Sequence, residues 1–225
     1  MQLLDTILSL IAPHQCLICK VDGSVLCNWC LPEVVDTILP RCVRCHAMNK
    51  DFLTCKNCRN RHGLPKYVWV HSVYGGYAKE LLHRLKFQKC RAAARTIAHM
   101  QSDTLPNLPN DTVVVHVPTA PQRVRERGFD QSKLLAREFA KQRELTYRTM
   151  LQRVSSVRQV GSNREARVKQ MKGAFEVANT NVVKKAPILL MDDIYTTGAT
   201  LVSATKTLKR AGYKNINAVV FAQTV

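Results

Sequence analysis

Two adjacent carboxylates, Asp192 and Asp193, stand just before a short run of small residues. The run consists of Thr196, Thr197, Gly198, Ala199 and Thr200. Threonine hydroxyls and backbone N–H groups can donate hydrogen bonds to a phosphate, and a glycine lets the backbone approach it closely. The two acids would repel a phosphate, so we expect them to face hydroxyl donors on the same ligand. A sugar that carries a 5′-phosphate satisfies both halves of the motif.

The elements around this motif are a strand before it and a helix after it. Ile188–Met191 is apolar without polar alternation, which predicts a short strand buried on both faces. Leu201–Arg210 is predicted to be a helix. A helix that begins at a small-residue turn presents free N–H groups and the positive end of its dipole to an anion. An alternative is a strand that ends in acids before a threonine-capped helix, which is common in α/β proteins.

The segment ILLMDDIYTTGAT, residues 188–200, resembles the phosphoribosyltransferase signature. This resemblance implies that the loop holds the 5′-phosphate of phosphoribosyl pyrophosphate and that Asp192 and Asp193 lie along the ribose hydroxyls. A type-I phosphoribosyltransferase displaces pyrophosphate from the anomeric carbon through an oxocarbenium-like transition state. The acid pair would stabilise that positive charge, and Mg²⁺ would bridge the pyrophosphate and the ribose hydroxyls. No spacing in the sequence identifies a base-recognition site.

Eight of the nine cysteines form four CxxC pairs. The pairs are Cys16/Cys19, Cys27/Cys30, Cys42/Cys45 and Cys55/Cys58. Two CxxC turns can surround one zinc ion with four sulfurs, so four pairs predict two structural zinc ions. A disulfide framework is the alternative, and the CxxC spacing beside a cytosolic α/β domain argues against it. Two sequential sites need only short loops, whereas a cross-braced arrangement stays open.

The sequence divides into a small cysteine-rich domain and a larger α/β domain. We expect residues 1–62 to form a double zinc ribbon, which has too few apolar residues to fold without metal. Residues 63–225 alternate predicted strands with predicted helices. Those elements are strands at Tyr67–Tyr74, Val113–Val117 and Ile216–Ala222 and helices at Ala78–Phe87 and Gln131–Phe139. The predicted fold class is α/β, a type-I phosphoribosyltransferase-like parallel sheet with an N-terminal zinc-ribbon domain.

A narrower resemblance covers essentially the whole chain. The segment VPTAPQRVRERGFDQSKLLA at residues 117–136, the paired CxxC region and the triplet Leu85–Phe87 resemble the competence-associated ComF family. The resemblance implies that Pro118, Thr119 and Arg127 approach the pyrophosphate. At Asp130 the sequence departs from the asparagine usual in the family.

The basic stretch Arg153–Lys172 contains a single acid and stands where phosphoribosyltransferases carry a mobile flap over the site. Gln159, Arg164 and Arg167 match positions that ComF proteins fill with the same residue types. Within this stretch a short helix is predicted at Asn163–Gln170. A disordered, solvated loop is the alternative, and a ligand could order such a loop.

The charge balance predicts a polyanionic partner. The chain has 34 Lys and Arg against 16 Asp and Glu, a formal charge of +18. Basic clusters at 79–95, 123–127 and 153–172 would bind single-stranded DNA through its backbone, and Trp29 and Trp69 are the candidates for base stacking. No run is apolar enough to span a membrane, and the N-terminus does not resemble a signal peptide, so we expect a cytoplasmic protein.

The resemblance to ComF proteins implies two kinds of partner beyond phosphoribosyl pyrophosphate. These are single-stranded DNA during natural competence and proteins of the DNA-uptake machinery. The alternative function is a metabolic phosphoribosyltransferase that acts on a small base or amine. The sequence leaves open whether the protein catalyses transfer at all.

Overall fold

The computed structural model describes residues 14–34, 38–88, 90–154, 174–178 and 180–224. Its strands, in chain order, are β1 (Val68–Val73), β2 (Val113–His116), β3 (Thr146–Tyr147), β4 (Leu151–Arg153), β5 (Phe175–Val177), β6 (Ile188–Tyr195) and β7 (Ile216–Gln223). Its described α-helices are α1 (Lys56–His62), α2 (Gly76–Phe87), α3 (Ala92–Thr104), α4 (Pro121–Arg127), α5 (Gln131–Gln142) and α6 (Ala199–Arg210). A single 3₁₀ turn spans Leu31–Val34.

Five strands form a parallel sheet in the order β1-β7-β6-β2-β3. The three central strands are built from apolar runs such as VVVH in β2 and ILLM in β6, and these residues are buried. Strands without polar alternation need cover on both faces, which the helices of a parallel α/β sheet provide. The antiparallel pair of β4 and β5 forms a separate two-stranded ribbon.

The connections leave the centre of the sheet in opposite directions. From β2 the chain passes through α4 and α5 to β3, and from β6 it passes through α6 to β7 on the other side. Right-handed crossovers in opposite directions place their helices on opposite faces, which opens a crevice between the carboxyl ends of β2 and β6. Ligands of open α/β sheets bind in such a crevice, so the topology marks one edge for the site.

The cysteine-rich region contains two turns of the same geometry, 26 residues apart. In the first turn Cys16 N–H donates to the carbonyl of Val21 at 2.9 Å, and in the second Cys42 N–H donates to Ala47 at 2.8 Å. The residues that follow Cys19 and Cys45 have positive φ, 64° at Lys20 and 59° at His46. Both turns therefore hold their cysteines on the same backbone frame.

The predicted fold class is confirmed, since a parallel α/β sheet follows an N-terminal region with two four-cysteine groups. The strand predicted to stop before the two acids continues to Tyr195, because Asp192 and Ile194 still pair with Val220 and Ala222 of β7. The sequence patterns do not predict α3, α4 or the ribbon of β4 and β5. The helix predicted at Asn163–Gln170 lies outside the described residues.

Candidate functional site

The threonine-rich turn lies between β6 and α6, as the motif predicts. Gly198 is the N-cap of α6 and has a φ of 73°, a left-handed conformation that favours glycine. A Cβ atom on Gly198 would also lie 2.6 Å from Cζ of Tyr195, so there is no room for a side chain. The Gly198 position gives α6 no side-chain cap, and N–H groups in the first turn of a helix have no partner within the helix. The turn thus has the backbone donors that a phosphate requires.

The two acids have different partners. Asp193 is buried, and its Oδ2 forms an ion pair with Nζ of Lys86 at 2.5 Å, with both side chains less than 15% exposed. Asp192 is half-buried, and its Oδ1 accepts hydrogen bonds from the Ser132 hydroxyl at 3.3 Å and from the N–H of Asp193 at 2.9 Å. Lys86 comes from the last turn of α2 and Ser132 from the first turn of α5. Two helices therefore hold the pair in place.

These surroundings move the two pKa values in opposite directions. Burial acts to raise the pKa of Asp193, but the Lys86 ammonium outweighs it and the net shift is downward. Burial, followed by the charge of Asp193, raises the pKa of Asp192 to about 8. The site therefore contains one carboxyl group with the Lys86 ammonium beside it and a second, Asp192, on which the charge of Lys86 is outweighed by burial and by Asp193.

We expect Asp192→Asn to stabilise the ligand-free protein, with an effect that grows with pH. The unfolded aspartate ionises near pH 3.8 and the folded one near pH 8. Between these two values the folded state keeps a proton that the unfolded state loses, so wild-type stability falls as pH rises. Asparagine removes this dependence. The gain in melting temperature should be near zero at pH 4 and increase steadily to at least several degrees at pH 8. Thermal scans from pH 4 to 8.5 measure it, and a gain that is constant with pH would contradict the assigned shift.

The Pro118–Thr119 segment follows β2 at the same edge of the sheet as the acids. Val117 N–H donates to the carbonyl of Met191 at 2.9 Å, which places the two strand ends side by side. Asp130 fixes the segment, because it accepts from the N–H of Thr119 at 3.0 Å and from its hydroxyl at 2.9 Å.

The same carboxylate caps α5 by accepting from Lys133 N–H at 3.1 Å. The departure at Asp130 therefore has a structural role. Its two oxygens serve three donors, where an asparagine has one oxygen to offer.

Arg127 is buried, although basic side chains are usually exposed. Its guanidinium lies over the ring of Phe87 at 5.2 Å, and Phe87 follows Lys86 at the end of α2. Burial lowers the pKa of Arg127 and the charge of Asp193 opposes that effect, so the cation and the acid pair interact. Arg127 Nη1 is a buried donor without a hydrogen-bond partner among the described residues. It is thus positioned to receive an oxygen acceptor.

Two further arginines hold the site, and the sequence patterns did not predict either contact. Arg44 lies between Cys42 and Cys45, and its Nη1 donates to the carbonyl of Thr197 at 2.7 Å. Arg153 donates to the carbonyl of Pro118 at 3.3 Å. The CxxC pattern predicts metal ligands, and it gives no indication of a partner 153 residues away.

The eight paired cysteines form two groups in sequential order. Cys16, Cys19, Cys27 and Cys30 form the first group, and Cys42, Cys45, Cys55 and Cys58 form the second, each with its sulfurs within 4.8 Å of one another. A tetrahedral zinc ion with Zn–S bonds of about 2.3 Å separates its sulfurs by about 3.8 Å. The Cys19–Cys27 and Cys45–Cys55 sulfurs are 3.7 Å apart. Each group therefore fits a zinc ion, and the cross-braced alternative does not occur.

The remaining sequence-based expectations have mixed outcomes. Gln159, Arg164 and Arg167 lie outside the described residues. Trp69 is buried and stacks on Tyr67, whereas Trp29 is 93% exposed. No described helix combines the length and the apolar character that crossing a membrane requires.

Comparisons with known proteins give a consistent group of relatives. The chain is 30% identical over 210 residues to the competence protein ComFC of Bacillus subtilis, an alignment that covers 86% of this chain and 81% of that protein. It is 27% identical over 205 residues to ComFC of Streptococcus pneumoniae, covering 89% and 88% of the two chains. It is 25% identical over 220 residues to competence protein F of Haemophilus influenzae, covering 90% and 93%.

Two other comparisons concern protein-family models and solved structures. No protein-family model matches the chain. A solved structure of the allosteric regulatory enzyme of purine biosynthesis superimposes with a TM-score of 0.42 and 17% identity, over 58% of this chain and 25% of that one. The relatives, matched along most of their lengths, decide the assignment: this chain belongs to the ComF family of competence proteins.

Proposed function

We propose that the protein binds phosphoribosyl pyrophosphate with Mg²⁺ in the crevice between β2 and β6 and handles single-stranded DNA. The observation that carries the first half is the acid pair beside an α6 N-terminus whose Gly198 has no room for a side chain. The second half is supported by the excess of basic residues and by the names of the relatives, which are competence proteins.

Each part of the ligand has a complement on this edge of the sheet. The 5′-phosphate would bind the N–H groups and hydroxyls of Thr196–Thr200. The ribose hydroxyls would donate to Asp192, which has no cation as close as the one beside Asp193. The pyrophosphate would lie against Pro118–Thr119 and the unpaired Nη1 of Arg127, because a guanidinium suits phosphate oxygens.

The acid pair fits a Mg²⁺ whose ligands come mainly from the substrate. Asp193 is already neutralised by Lys86, so the described carboxylates do not form an oxygen cage, and Mg²⁺ is commonly held by few carboxylates together with substrate phosphates. Bound there, the ion would neutralise the leaving pyrophosphate. Asp192 and Asp193 would stabilise positive charge on the ribose. Helices α2 and α5, which hold the pair, would keep water from the ribose face.

We expect phosphoribosyl pyrophosphate with Mg²⁺ to bind the wild-type protein and to raise its melting temperature. Thr197→Val removes one hydroxyl donor at nearly constant size, so the affinity should fall by roughly 10-fold, the equivalent of one hydrogen bond to a charged group. Asp193→Asn should retain affinity for inorganic phosphate better than selectivity for ribose. Titration calorimetry measures both. Failure of ribose 5-phosphate and of pyrophosphate to bind wild type would refute the site assignment.

The alternative function, a metabolic phosphoribosyltransferase, differs from the accessory role in its expected turnover of phosphoribosyl pyrophosphate. Release of pyrophosphate from phosphoribosyl pyrophosphate is measured across a panel of bases and amines. Release that depends on one small base would favour the metabolic enzyme. Tight binding of the ligand without base-dependent release favours the accessory role in DNA handling.

A further inference from the structure

The two cysteine turns share a backbone frame but differ sharply in charge. Residues 14–34, around the first group, contain one basic residue and two acids. Residues 38–62, around the second group, contain six basic residues and one acid. Two four-sulfur zinc sites would carry equal charge, so the metals do not alter this contrast. The positive charge of the cysteine-rich region thus lies almost entirely around the second cysteine group, in residues 38–62.

The basic residues of the second turn continue onto α6. We call this surface the basic face, and it consists of Arg44, Arg59, Arg61, His62, Lys206 and Lys209. Lys206 lies across the end of α1, because a Cβ on Gly63 would be 2.6 Å from its Cε and 3.3 Å from its Cγ. At the other end Arg44 donates to Thr197 in the phosphate loop. Lys206 and Lys209 lie in the C-terminal half of α6, a helix about 18 Å long at 1.5 Å per residue that begins at the proposed ligand site, so the face has members near both ends of this helix.

The members of the basic face repel one another. After burial, the charges of Arg44, Arg61 and Lys206 lower the pKa of His62. Burial also lowers the pKa of Lys209, together with the charges of Arg59 and Lys206. Lys206 and Lys209 are three residues apart on one helix, a spacing at which like charges are neighbours and repel each other.

No acid relieves this repulsion in the part of the chain that the structure describes. The ion pairs found there join other residues, and none includes an arginine or lysine of the basic face. Arg61, Lys206 and Lys209 are exposed members of the face. A row of unpaired cations without interleaved acids is complementary to a phosphate backbone.

We infer that the basic face is the surface that binds single-stranded DNA, with the strand running along α1 and α6 toward the phosphate loop. This inference rests on the proposed handling of DNA and assigns it to a surface. Recognition is through the DNA backbone, because Trp69 is buried and Trp29 lies in residues 14–34, which contain one basic residue and two acids. Among the three basic clusters predicted from sequence, those at 79–95 and 123–127 are the competing locations, and most of the third, at 153–172, lies outside the described residues.

The test compares two triple variants that lose the same charge. The first is Arg61→Gln, Lys206→Gln, Lys209→Gln, which removes three exposed cations of the basic face. The second is Lys79→Gln, Arg123→Gln, Arg125→Gln, which removes three exposed cations of the competing clusters. Fluorescence anisotropy with a labelled oligothymidylate is measured from 50 to 300 mM NaCl. Melting temperature and affinity for phosphoribosyl pyrophosphate are recorded for each variant, so that a folding defect is recognised.

The first variant should bind the oligomer at least about tenfold more weakly at low salt. Its log–log salt slope should be smaller by about 2, since each phosphate contact on a single strand contributes about 0.7. The second variant should lose less than threefold. If the second variant loses affinity and the first does not, the surface assignment is overturned while the proposed function stands. If the wild type fails to bind at 50 mM salt, the DNA half of the proposed function falls together with the surface.

Discussion

Replacing Gly198 by alanine is expected to lower the affinity for phosphoribosyl pyrophosphate by roughly 100-fold or more. The alanine would occupy a left-handed conformation at a cost of about 1–2 kcal/mol, and its Cβ would overlap the Tyr195 ring. The turn must shift to relieve both, and the N–H groups at the start of α6 shift with it. Loss of two hydrogen bonds to a charged group, at about 1.5–3 kcal/mol each, gives the expected decrease. Titration calorimetry measures it.

Gly212→Ala is the matched control. Gly212 also has positive φ, 93°, but the nearest atom to its added Cβ would be Lys184 Cδ at 3.7 Å, an ordinary contact. Gly212 lies beyond the C-terminal end of α6, far along the helix from the proposed ligand site. Its alanine variant therefore has the same kind of backbone strain as Gly198→Ala but no collision with a ring. The control should lose stability and keep its affinity. Equal losses of affinity in both variants would show that strain in α6, and not the turn, controls binding.

Disrupting the second cysteine group is expected to weaken ligand binding, whereas disrupting the first is not. Cys45→Ser removes one ligand from the group that holds Arg44 beside Thr197. Without that metal the turn lacks most of its folding free energy, because a structural zinc contributes about 10–16 kcal/mol in apparent terms. Arg44 then no longer restrains the Thr197 carbonyl. We expect the affinity for phosphoribosyl pyrophosphate to fall by roughly 10-fold, about the value of one charge-assisted hydrogen bond.

Cys19→Ser is the control, since Cys19 occupies the equivalent place in the first group and both cysteines are exposed. Native mass spectrometry should show two zinc ions in wild type and one in each variant. Arg44→Gln should reproduce the loss of affinity while it keeps both ions. Should Cys19→Ser and Cys45→Ser weaken binding equally, the effect would be a general destabilisation, and Arg44 would have no special role.

The parts of the fold that the sequence predicted are those fixed by local patterns. The run before Asp192 has no polar alternation, which requires a strand covered on both faces, and the turn after Tyr195 has the residue types that begin a helix at an anion site. The CxxC spacing likewise places two sulfurs on one ion. Each of these signals lies within a dozen residues, and the strand, the turn and the paired cysteines lie at the predicted places, although the strand continues to Tyr195.

The parts that were missed depend on tertiary contacts. The ion pair of Lys86 with Asp193 was not predicted, because no local feature of α2 indicates that Asp193 lies beside it. The contact of Arg44 with Thr197 and the two hydrogen bonds of Asp130 with Thr119 have the same origin. The charge clusters were read from runs along the chain, whereas the basic face is assembled from two helices that are far apart in sequence. Proximity of this kind follows from strand order, which local patterns do not determine.

The strand order has a consequence for the time course of folding during synthesis. β1 lies at one edge of the sheet and has β7 as its neighbour, so its ladder joins residues about 150 positions apart. A ribosome adds roughly 5–20 residues per second, so β1 lacks its partner strand β7 for at least several seconds after β1 leaves the exit tunnel. Meanwhile β2 and β3, which are neighbours in both sequence and space, can already pair. The nascent chain therefore exposes the largely apolar strand Val68–Val73 without its β7 partner for that interval.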